Sequence, residues 1–162
     1  MANSYWLNNN SIKIWNVNSE ESVQILQGHS SWVTCIAFSP DNKLLASGCF
    51  DKTIKIWDIA TGRCLKTMQG HGGELTSIIF SPNGKFNFSS SIDESIKIWN
   101  IYTGELVKSL NGHDEPIHSI AFNAASSILA SGGKDQTIKL WNVNTGECLK
   151  TLKGHTNWIF SV

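Results

Sequence analysis

The chain has 162 residues, 41% of them hydrophobic, and its 13 basic side chains balance 13 acidic ones. A net charge of zero gives no electrostatic basis for binding nucleic acid or an anionic membrane surface, so neither is expected as a partner. No apolar run approaches the ~18 residues of a membrane span, and residues 1–10 lack the basic-then-apolar order of a secretory signal, so a cytoplasmic protein is expected.

Two landmarks recur along the chain with a strict period of 42 residues. One is a Gly-His pair, at Gly28-His29, Gly70-His71, Gly112-His113 and Gly154-His155. The other is a tryptophan that closes a near-identical apolar segment, at Trp15, Trp57, Trp99 and Trp141. Because two independent landmarks share one register, the chain is a 42-residue unit copied almost four times.

Within each copy, runs of β-branched and aromatic residues are separated by turn residues, which predicts short strands and no helix. In the copy over 28–69 the predicted strands are a (32–38), b (43–48), c (53–59) and d (64–69). Ser39-Pro40-Asp41-Asn42 predicts the a–b turn, and Thr61-Gly62 predicts the c–d hairpin, where glycine supplies a positive φ. The copies over 70–111 and 112–153 repeat this pattern, so each is predicted to be a four-stranded antiparallel meander.

The two ends of the chain hold parts of a further copy. Residues 1–27 align with strands b, c and d, and residues 154–162 align with a lone closing strand a. The chain is therefore predicted to contain four blades' worth of strands: b-c-d, three full a-b-c-d units and a last a.

A single sheet of this kind would expose apolar side chains on both faces. On strand c, Ile54 and Ile56 point to one face and Trp57 to the other, a pattern that suits a sheet packed between two neighbours. Radial stacking of such sheets gives a β-propeller, so the predicted fold class is all-β, a propeller of four-stranded antiparallel blades.

The Gly-His pair, the strand that ends in Trp57-Asp58 and the Ser-Pro-Asp turn together resemble the WD-repeat β-propeller family, over the whole chain. Trp-Asn replaces Trp-Asp in the other copies, a mild departure. The resemblance implies a rigid platform for assembling other proteins, and a structural hydrogen-bond network in each blade. The implied networks are His29, Ser47, Asp51 and Trp57; His71, Ser89, Asp93 and Trp99; and His113, Ser131, Asp135 and Trp141. In the first copy Asn9 replaces the Asp and Tyr5 the Ser, so a weaker first blade is expected.

Ser, His and Asp could alternatively form a nucleophilic triad. An enzyme needs one exposed nucleophile beside an oxyanion site, whereas this set recurs in three copies with a Trp placed to occupy the hydroxyl. We therefore expect no enzyme activity, no cofactor and no metal site. His118, on strand a, is expected to line the central channel or pack there. The cysteines are interpreted as small buried hydrophobes; they are Cys35, Cys49, Cys64 and Cys148.

The broken copies at the two ends allow three interpretations. The chain is a piece of a longer protein, a four-bladed monomer, or one half of a two-fold symmetric homodimer that closes an eight-bladed ring. Propellers have roughly four to eight blades, but the resemblance implies a blade whose wedge shape suits a larger ring, so a ring of only four would be strained. In the dimer, each closing strand a completes the first blade of the partner chain.

The loops that join d to a and b to c gather on one side of a propeller, where a rigid scaffold presents binding residues. We define this loop face by two positions in each copy: the third residue after the Gly-His histidine and the residue before the network Asp. They hold Trp32, Glu74, Pro116 and Trp158 at the first position and Asn8, Phe50, Ile92 and Lys134 at the second. Large apolar side chains here predict a protein-binding surface, although Trp32 and Trp158 could simply lean on neighbouring loops.

Two functions follow as hypotheses. The first is a non-catalytic protein-interaction scaffold that binds other proteins through the loop face. The second is a sensory or autoinhibitory WD-repeat segment of a larger signalling protein or NTPase.

Overall fold

The structure, a computed structural model, describes residues 2–3, 10–123 and 127–162, and every regular element there is a β-strand. Sheet 1 has three strands in sequential order. They are β1 (Ala2–Asn3), β2 (Ile12–Trp15) and β3 (Ser22–Leu26). No helix that could cross a membrane occurs in the described part of the chain.

Sheets 2, 3 and 4 are four-stranded antiparallel meanders in which each strand pairs with the next along the chain. Sheet 2 consists of β4 (Val33–Phe38), β5 (Leu44–Cys49), β6 (Thr53–Asp58) and β7 (Cys64–Gln69). Sheet 3 consists of β8 (Leu75–Phe80), β9 (Phe86–Ser91), β10 (Ser95–Asn100) and β11 (Leu106–Asn111). Sheet 4 consists of β12 (Ile117–Phe122), β13 (Ile128–Gly133), β14 (Ile138–Asn142) and β15 (Cys148–Leu152). These sheets confirm the predicted all-β fold of four-stranded blades.

Side-chain hydrogen bonds fix the turns between neighbouring strands. In sheet 2, Ser39 Oγ donates to Asp41 Oδ1 at 2.6 Å, and the Leu44 backbone N–H donates to Ser39 Oγ at 2.9 Å. The c–d hairpin ends on Gly62, whose φ of +69° is a left-handed conformation that glycine adopts at little cost. The turn residues thereby set the register of the strands on either side.

Three apolar clusters hold the sheets together, one at each boundary between consecutive sheets. At the boundary of sheets 1 and 2, Trp57 packs with Ile12 and Leu26. Ile54 and Ile56, from the opposite face of the same strand, belong to the cluster shared with sheet 3. Sheets 2 and 3 are therefore covered on both faces, as the alternation along strand c predicts.

The first strands of sheets 2, 3 and 4 adjoin one another, β4 with β8 and β8 with β12. Thr34 Oγ1 on β4 donates to the backbone carbonyl of Leu75 on β8 at 2.7 Å. Gly48 allows this approach, because a Cβ there would lie 2.8 Å from Leu75 Cβ. Neighbouring sheets are thus in closest contact where residues are small.

The structure differs from the predicted strands at both ends of the chain. Of residues 1–7, which align with strand b, the structure describes Ala2–Asn3, and these two residues form β1. It pairs Ala2 with Ile14, a register two residues away from that of sheet 2, where Ala46 pairs with Ile56. Residues 154–162, which we call the closing segment, form no regular strand. In the complete sheets, strand a forms its backbone hydrogen bonds with strand b of the same sheet. Among the described residues, no strand pairs with the closing segment in this way.

The prediction that all four cysteines are buried is wrong for two of them. Cys64 and Cys148 are exposed, whereas Cys49 is buried and Cys35 is partly buried. The exposed pair starts the fourth strands of sheets 2 and 4. A fourth strand is the outer edge of its sheet, with no further strand to cover it.

Asn87, in the second strand of sheet 3, is a buried amide in an apolar position. It has no accessible surface, and neither its oxygen nor its nitrogen has a hydrogen-bond partner among the described residues. Its cross-strand neighbours are Phe80 and Trp99, and the other copies carry Leu45 and Leu129 here. An unpaired buried amide costs roughly 1–3 kcal/mol of stability.

Replacing Asn87 by leucine should therefore stabilise the protein. Asn87→Leu removes the unpaired amide and restores the residue type of the other copies, so the free energy of unfolding should rise by about 1–3 kcal/mol. Chemical denaturation followed by tryptophan fluorescence measures the change. Asn111→Leu, at an exposed strand end, is the matched control and should leave stability unchanged. A less stable Asn87→Leu variant would contradict the prediction.

Candidate binding face and its supporting networks

In sheet 2 one buried hydroxyl joins three parts of the blade. Ser47 Oγ lies 2.7 Å from His29 Nε2 and accepts the indole N–H of Trp57 at 2.8 Å. His29 Nδ1 lies 2.9 Å from Asp51 Oδ2. Since the indole only donates, Ser47 has its own proton free for Nε2 of a neutral imidazole, whose Nδ1–H then donates to Asp51. The four side chains form one continuous chain of hydrogen bonds.

The same geometry recurs in sheets 3 and 4. The His–Ser distance is 2.7 Å and the Trp–Ser distance 2.8 Å in both. The His–Asp distance is 2.8 Å in sheet 3 and 2.6 Å in sheet 4. The members are His71, Ser89, Asp93 and Trp99 in sheet 3 and His113, Ser131, Asp135 and Trp141 in sheet 4. Tyr5 and Asn9, the predicted substitutes in the first copy, lie outside the described residues.

Each network contains a further hydroxyl that sequence reasoning missed. Thr53 Oγ1 donates to Oδ1 of Asp51 at 2.6 Å, and Ser95 Oγ donates to Oδ1 of Asp93 at 2.7 Å. In sheet 4, Thr137 makes the same bond at 3.0 Å. A signal for these residues exists in the sequence, because a Ser or Thr stands two positions after each network Asp. The hydroxyl fixes the b–c turn to the network.

Burial and hydrogen bonding within the networks shift the pKa values of the aspartates and of two of the histidines. Burial would raise the pKa of Asp51, but hydrogen bonds, led by that from Thr53, hold this pKa well below its ordinary value. The pKa values of the other two network aspartates are lowered against burial in the same way. Burial lowers the pKa of His29 and of His113, and the hydrogen bonds to their aspartates offset this only in part. At neutral pH the carboxylates are therefore ionised and these imidazoles neutral.

The network serines are not exposed nucleophiles. Ser47, Ser89 and Ser131 have 0% exposure, and each hydroxyl is bonded to both an indole and an imidazole. A triad serine must reach a substrate carbonyl next to an oxyanion site. These three serines therefore hold the blades together rather than attack a substrate.

His29, Cys49 and Asp51 place their ligand atoms within 4.8 Å of one another, a spacing that a metal ion could use. Burial raises the pKa of the Cys49 thiol to about 12, and its sulfur accepts the Asp51 backbone N–H at 3.3 Å. A metal needs a thiolate and a free imidazole nitrogen, whereas both ring nitrogens of His29 are used within the network. Other copies carry Ser91 and Gly133 in place of the thiol. We assign this cluster to the network.

Backbone hydrogen bonds join the two positions of the loop face within each complete copy. They run from the N–H of Phe50 to the carbonyl of Trp32 (2.9 Å), from Ile92 to Glu74 (3.0 Å) and from Lys134 to Pro116 (2.8 Å). The d–a loop and the b–c turn of one blade are thereby fixed side by side. Asn8, which holds the second position in the first copy, lies outside the described residues.

The aromatic pair of sheet 2 is the most prominent part of the loop face. The rings of Trp32 and Phe50 are 5.5 Å apart at an interplanar angle of 36°. Trp32 does lean on its neighbour, yet 51% of it stays exposed, and Ile92 in the next blade is 41% exposed. Trp32 is thus in contact with Phe50 and still half exposed, and its role in binding stays a prediction.

On sheet 4 the loop face continues into a second aromatic cluster. The ring of His118 stacks on Phe160 at 5.0 Å and lies 6.0 Å from Trp158. Lys134 Nζ lies 5.2 Å from the Trp158 ring and 3.5 Å from Glu115 Oε2. Trp158 is 46% exposed and Phe160 67% exposed. The predicted residues Lys134 and Trp158 are therefore in contact, although they belong to successive copies.

A groove lies between sheets 3 and 4, and the sequence analysis did not predict it. It has a volume of about 570 Å³ and apolar walls that include Phe86, Phe88, Val107, Phe122 and Val143. Phe88 and Phe122 meet edge to face at 4.8 Å. The walls come from different sheets, so no local pattern reveals the groove. Its described walls hold neither a carboxylate nor a histidine, so they offer no acid–base pair for catalysis.

The repeat also matches a known family. The family model of the WD domain, G-beta repeat, matches residues 20–58, 62–100 and 104–142, more than half of the chain. The chain belongs to the WD40 family. Each matched WD40 repeat contains strand d of one sheet and strands a, b and c of the next. WD40 repeats imply a protein-interaction scaffold, and WD40 domains are generally non-catalytic.

Two curated relatives are similar to part of the chain. They are apoptotic protease-activating factor 1 of Danio rerio and periodic tryptophan protein 2 of Saccharomyces cerevisiae. Each is 40% identical over 47 residues, which is 29% of this chain. The chain spans only 4% of the length of the first and 5% of the second. Each similarity therefore covers one 47-residue stretch, about the length of one copy of the repeat.

Removing one network hydroxyl should destabilise its blade. Ser89→Ala leaves the buried indole N–H of Trp99 and Nε2 of His71 without their partner, so the free energy of unfolding should fall by roughly 2–4 kcal/mol. Guanidinium denaturation measures the loss. Ser22→Ala, on an exposed strand of sheet 1, is the control and should change stability little. If the two variants lost the same stability, the structural role of Ser89 would be wrong.

Stability should decrease as the solution is acidified below neutral pH. The pKa values of His29 and His113 are lowered in the folded state, so below about pH 6.5 the unfolded chain binds protons that the folded chain does not. The lowered pKa values of the network aspartates add a second loss below about pH 4. Urea midpoints at pH 7.5, 5.5 and 3.5 should fall in that order. His113→Gln should reduce the first of the two decreases. A midpoint that rose between pH 7.5 and pH 5.5 would show that the folded state does not lower the pKa values of these histidines.

Proposed function

We propose that this WD40 chain is a non-catalytic scaffold that binds other proteins through its loop face. The Trp32–Phe50 pair carries the proposal, because two aromatic rings in contact leave half of the indole exposed on a fixed loop. Large aromatic side chains are enriched in interface hot spots, since they bury much area at little cost in conformational entropy.

The networks support this role by holding the loop face in place. Asp51 accepts the backbone N–H of Ser30 at 3.0 Å, and Asp93 accepts that of Gly72 at 2.8 Å. The carboxylates that end the networks thus also pin the loops that carry the binding residues, Trp32 among them. A loop that is already ordered loses little entropy when a partner binds.

The partner class follows from charge and surface chemistry. A formal charge of zero favours neither nucleic acid nor a membrane surface, so the partners we propose are proteins, a second copy of this chain among them. All four cysteines are free thiols, which supports a reducing compartment such as the cytoplasm.

The alternative function is a sensory or autoinhibitory WD40 segment of a larger signalling protein or NTPase. It is favoured by the relatives, in which the matched segment makes up only 4% and 5% of much longer proteins. Under this alternative, the loop face would bind another domain of the same protein rather than a separate chain.

The loop face can be tested by affinity capture. The double variant Trp32→Ala, Phe50→Ala should recover a captured partner at least about tenfold less than the wild type, because a hot-spot pair contributes ~2 kcal/mol or more. Quantitative mass spectrometry of the captured proteins is the measurement. The matched control is Leu65→Ala, which removes a 49% exposed apolar side chain from the outer strand of the same sheet.

The control should retain the partners that the double variant loses, and both variants should melt near the wild-type temperature. Unchanged capture by a folded double variant would rule out this face. Loss in both variants alike would show that binding does not depend on the aromatic pair.

A further inference from the structure

The glycine of the Gly-His pair is a docking point for a tryptophan ring in each of the three complete blades. A Cβ at Gly28, Gly70 or Gly112 would lie 3.4, 3.0 or 3.2 Å from Cη2 of the network Trp of the same blade. Gly154 has a matching φ, +145° against +146° to +155° in the other three. Yet no atom of the described residues lies within 4 Å of the corresponding Cβ position. Gly154 therefore has the φ of a docking point, and none of the described residues occupies it.

Of the four tryptophans that recur with the 42-residue period, Trp15 is the one that packs on no Gly-His glycine among the described residues. It is 36% exposed, whereas its equivalents Trp57, Trp99 and Trp141 are each 1% exposed. His155, next to the empty position, is also exposed, while the other three Gly-His histidines are buried. Trp15 from sheet 1 and Gly154 from the closing segment are thus both uncovered in the described part of the chain. Trp15 therefore does not pack on Gly154 of its own chain.

The closing segment already lies where the first strand of a further blade belongs. The Ile159 N–H donates to the Gly133 carbonyl at 3.0 Å, and the Val162 N–H donates to Ser119 Oγ at 3.2 Å. Ile159 and Val162 crowd Gly132 in the way that Leu75 crowds the equivalent glycine of sheet 2. The segment is held on sheet 4, and its other edge has no paired strand among the described residues.

We propose that a second copy of this chain completes the fourth blade, with its Trp15 packed on Gly154 and its sheet 1 paired with the closing segment. The two sides are complementary, because an exposed indole meets a glycine backbone that no described residue covers, and the closing segment has no paired strand on its other edge among the described residues. Two such junctions related by a two-fold axis close a ring of eight blades. The inference names one partner for the proposed scaffold, and it depends on the propeller architecture rather than on the loop face.

Light scattering coupled to size-exclusion chromatography tests the junction on the 162-residue chain. The wild type should have twice the 17.9 kDa mass of one chain. Trp15→Ala should raise the dissociation constant of the dimer at least about tenfold, since losing a buried Trp anchor costs ~2 kcal/mol or more at an interface. Leu106→Ala is the matched control: it removes a 45% exposed apolar side chain from the outer strand of sheet 3, outside both the loop face and the junction, and should leave the mass unchanged.

Gly154→Val tests the same contact from its other side. It fills the docking point, so it should weaken the dimer as Trp15→Ala does, although the two positions lie at opposite ends of the chain. A wild type at 17.9 kDa would overturn the second copy as the partner, and a full dimer in either junction variant would overturn the Trp15–Gly154 contact. Failure of the loop face would instead leave the dimer intact and alter only partner capture, which separates the two proposals.

Discussion

In each complete blade a single serine hydroxyl, buried among apolar side chains, accepts an indole N–H and lies within hydrogen-bond distance of an imidazole. This serine on strand b bonds to the Trp on strand c and to the His on the d–a loop. The His in turn bonds to the Asp on the b–c turn, and the Asp bonds back to the d–a loop. Every partner in the chain is needed, because each polar group would be costly if left unpaired away from water. The d–a loop and the b–c turn, which carry the loop-face residues, are therefore tied by hydrogen bonds to the buried core.

The WD40 repeat and the blade are not the same unit. A family match such as 62–100 contains one strand of sheet 2 and three strands of sheet 3. Each repeat therefore links two neighbouring blades across the apolar cluster between them. In the described part of the chain no strand pairs with the closing segment. The exposed Trp15 and the uncovered Gly154 mark the two sides of the proposed junction.

Much of the fold could be predicted from the sequence because repetition supplies independent evidence at every position. The strands of sheets 2 to 4 and the positions of the network residues follow from markers that keep one spacing. Other features depend on contacts between copies, which spacing does not encode. Examples are the groove lined by Phe88 and Phe122, the unpaired amide of Asn87 and the contact of Lys134 with Trp158. The closing segment was predicted as a strand from its sequence alone, but a strand also requires a neighbour to pair with.

Hydrogen–deuterium exchange at several protein concentrations measures both the order of the loop face and the filling of the fourth blade. The Ser30 and Gly72 amides should exchange slowly at every concentration, because they are bonded to network aspartates. The closing segment and β2 should exchange fast in dilute solution and more slowly as the concentration rises, because a second copy then covers them. Fast exchange of the Ser30 and Gly72 amides would show that the networks do not order the loop face, and a closing segment whose exchange does not depend on concentration would show that no second copy completes the blade.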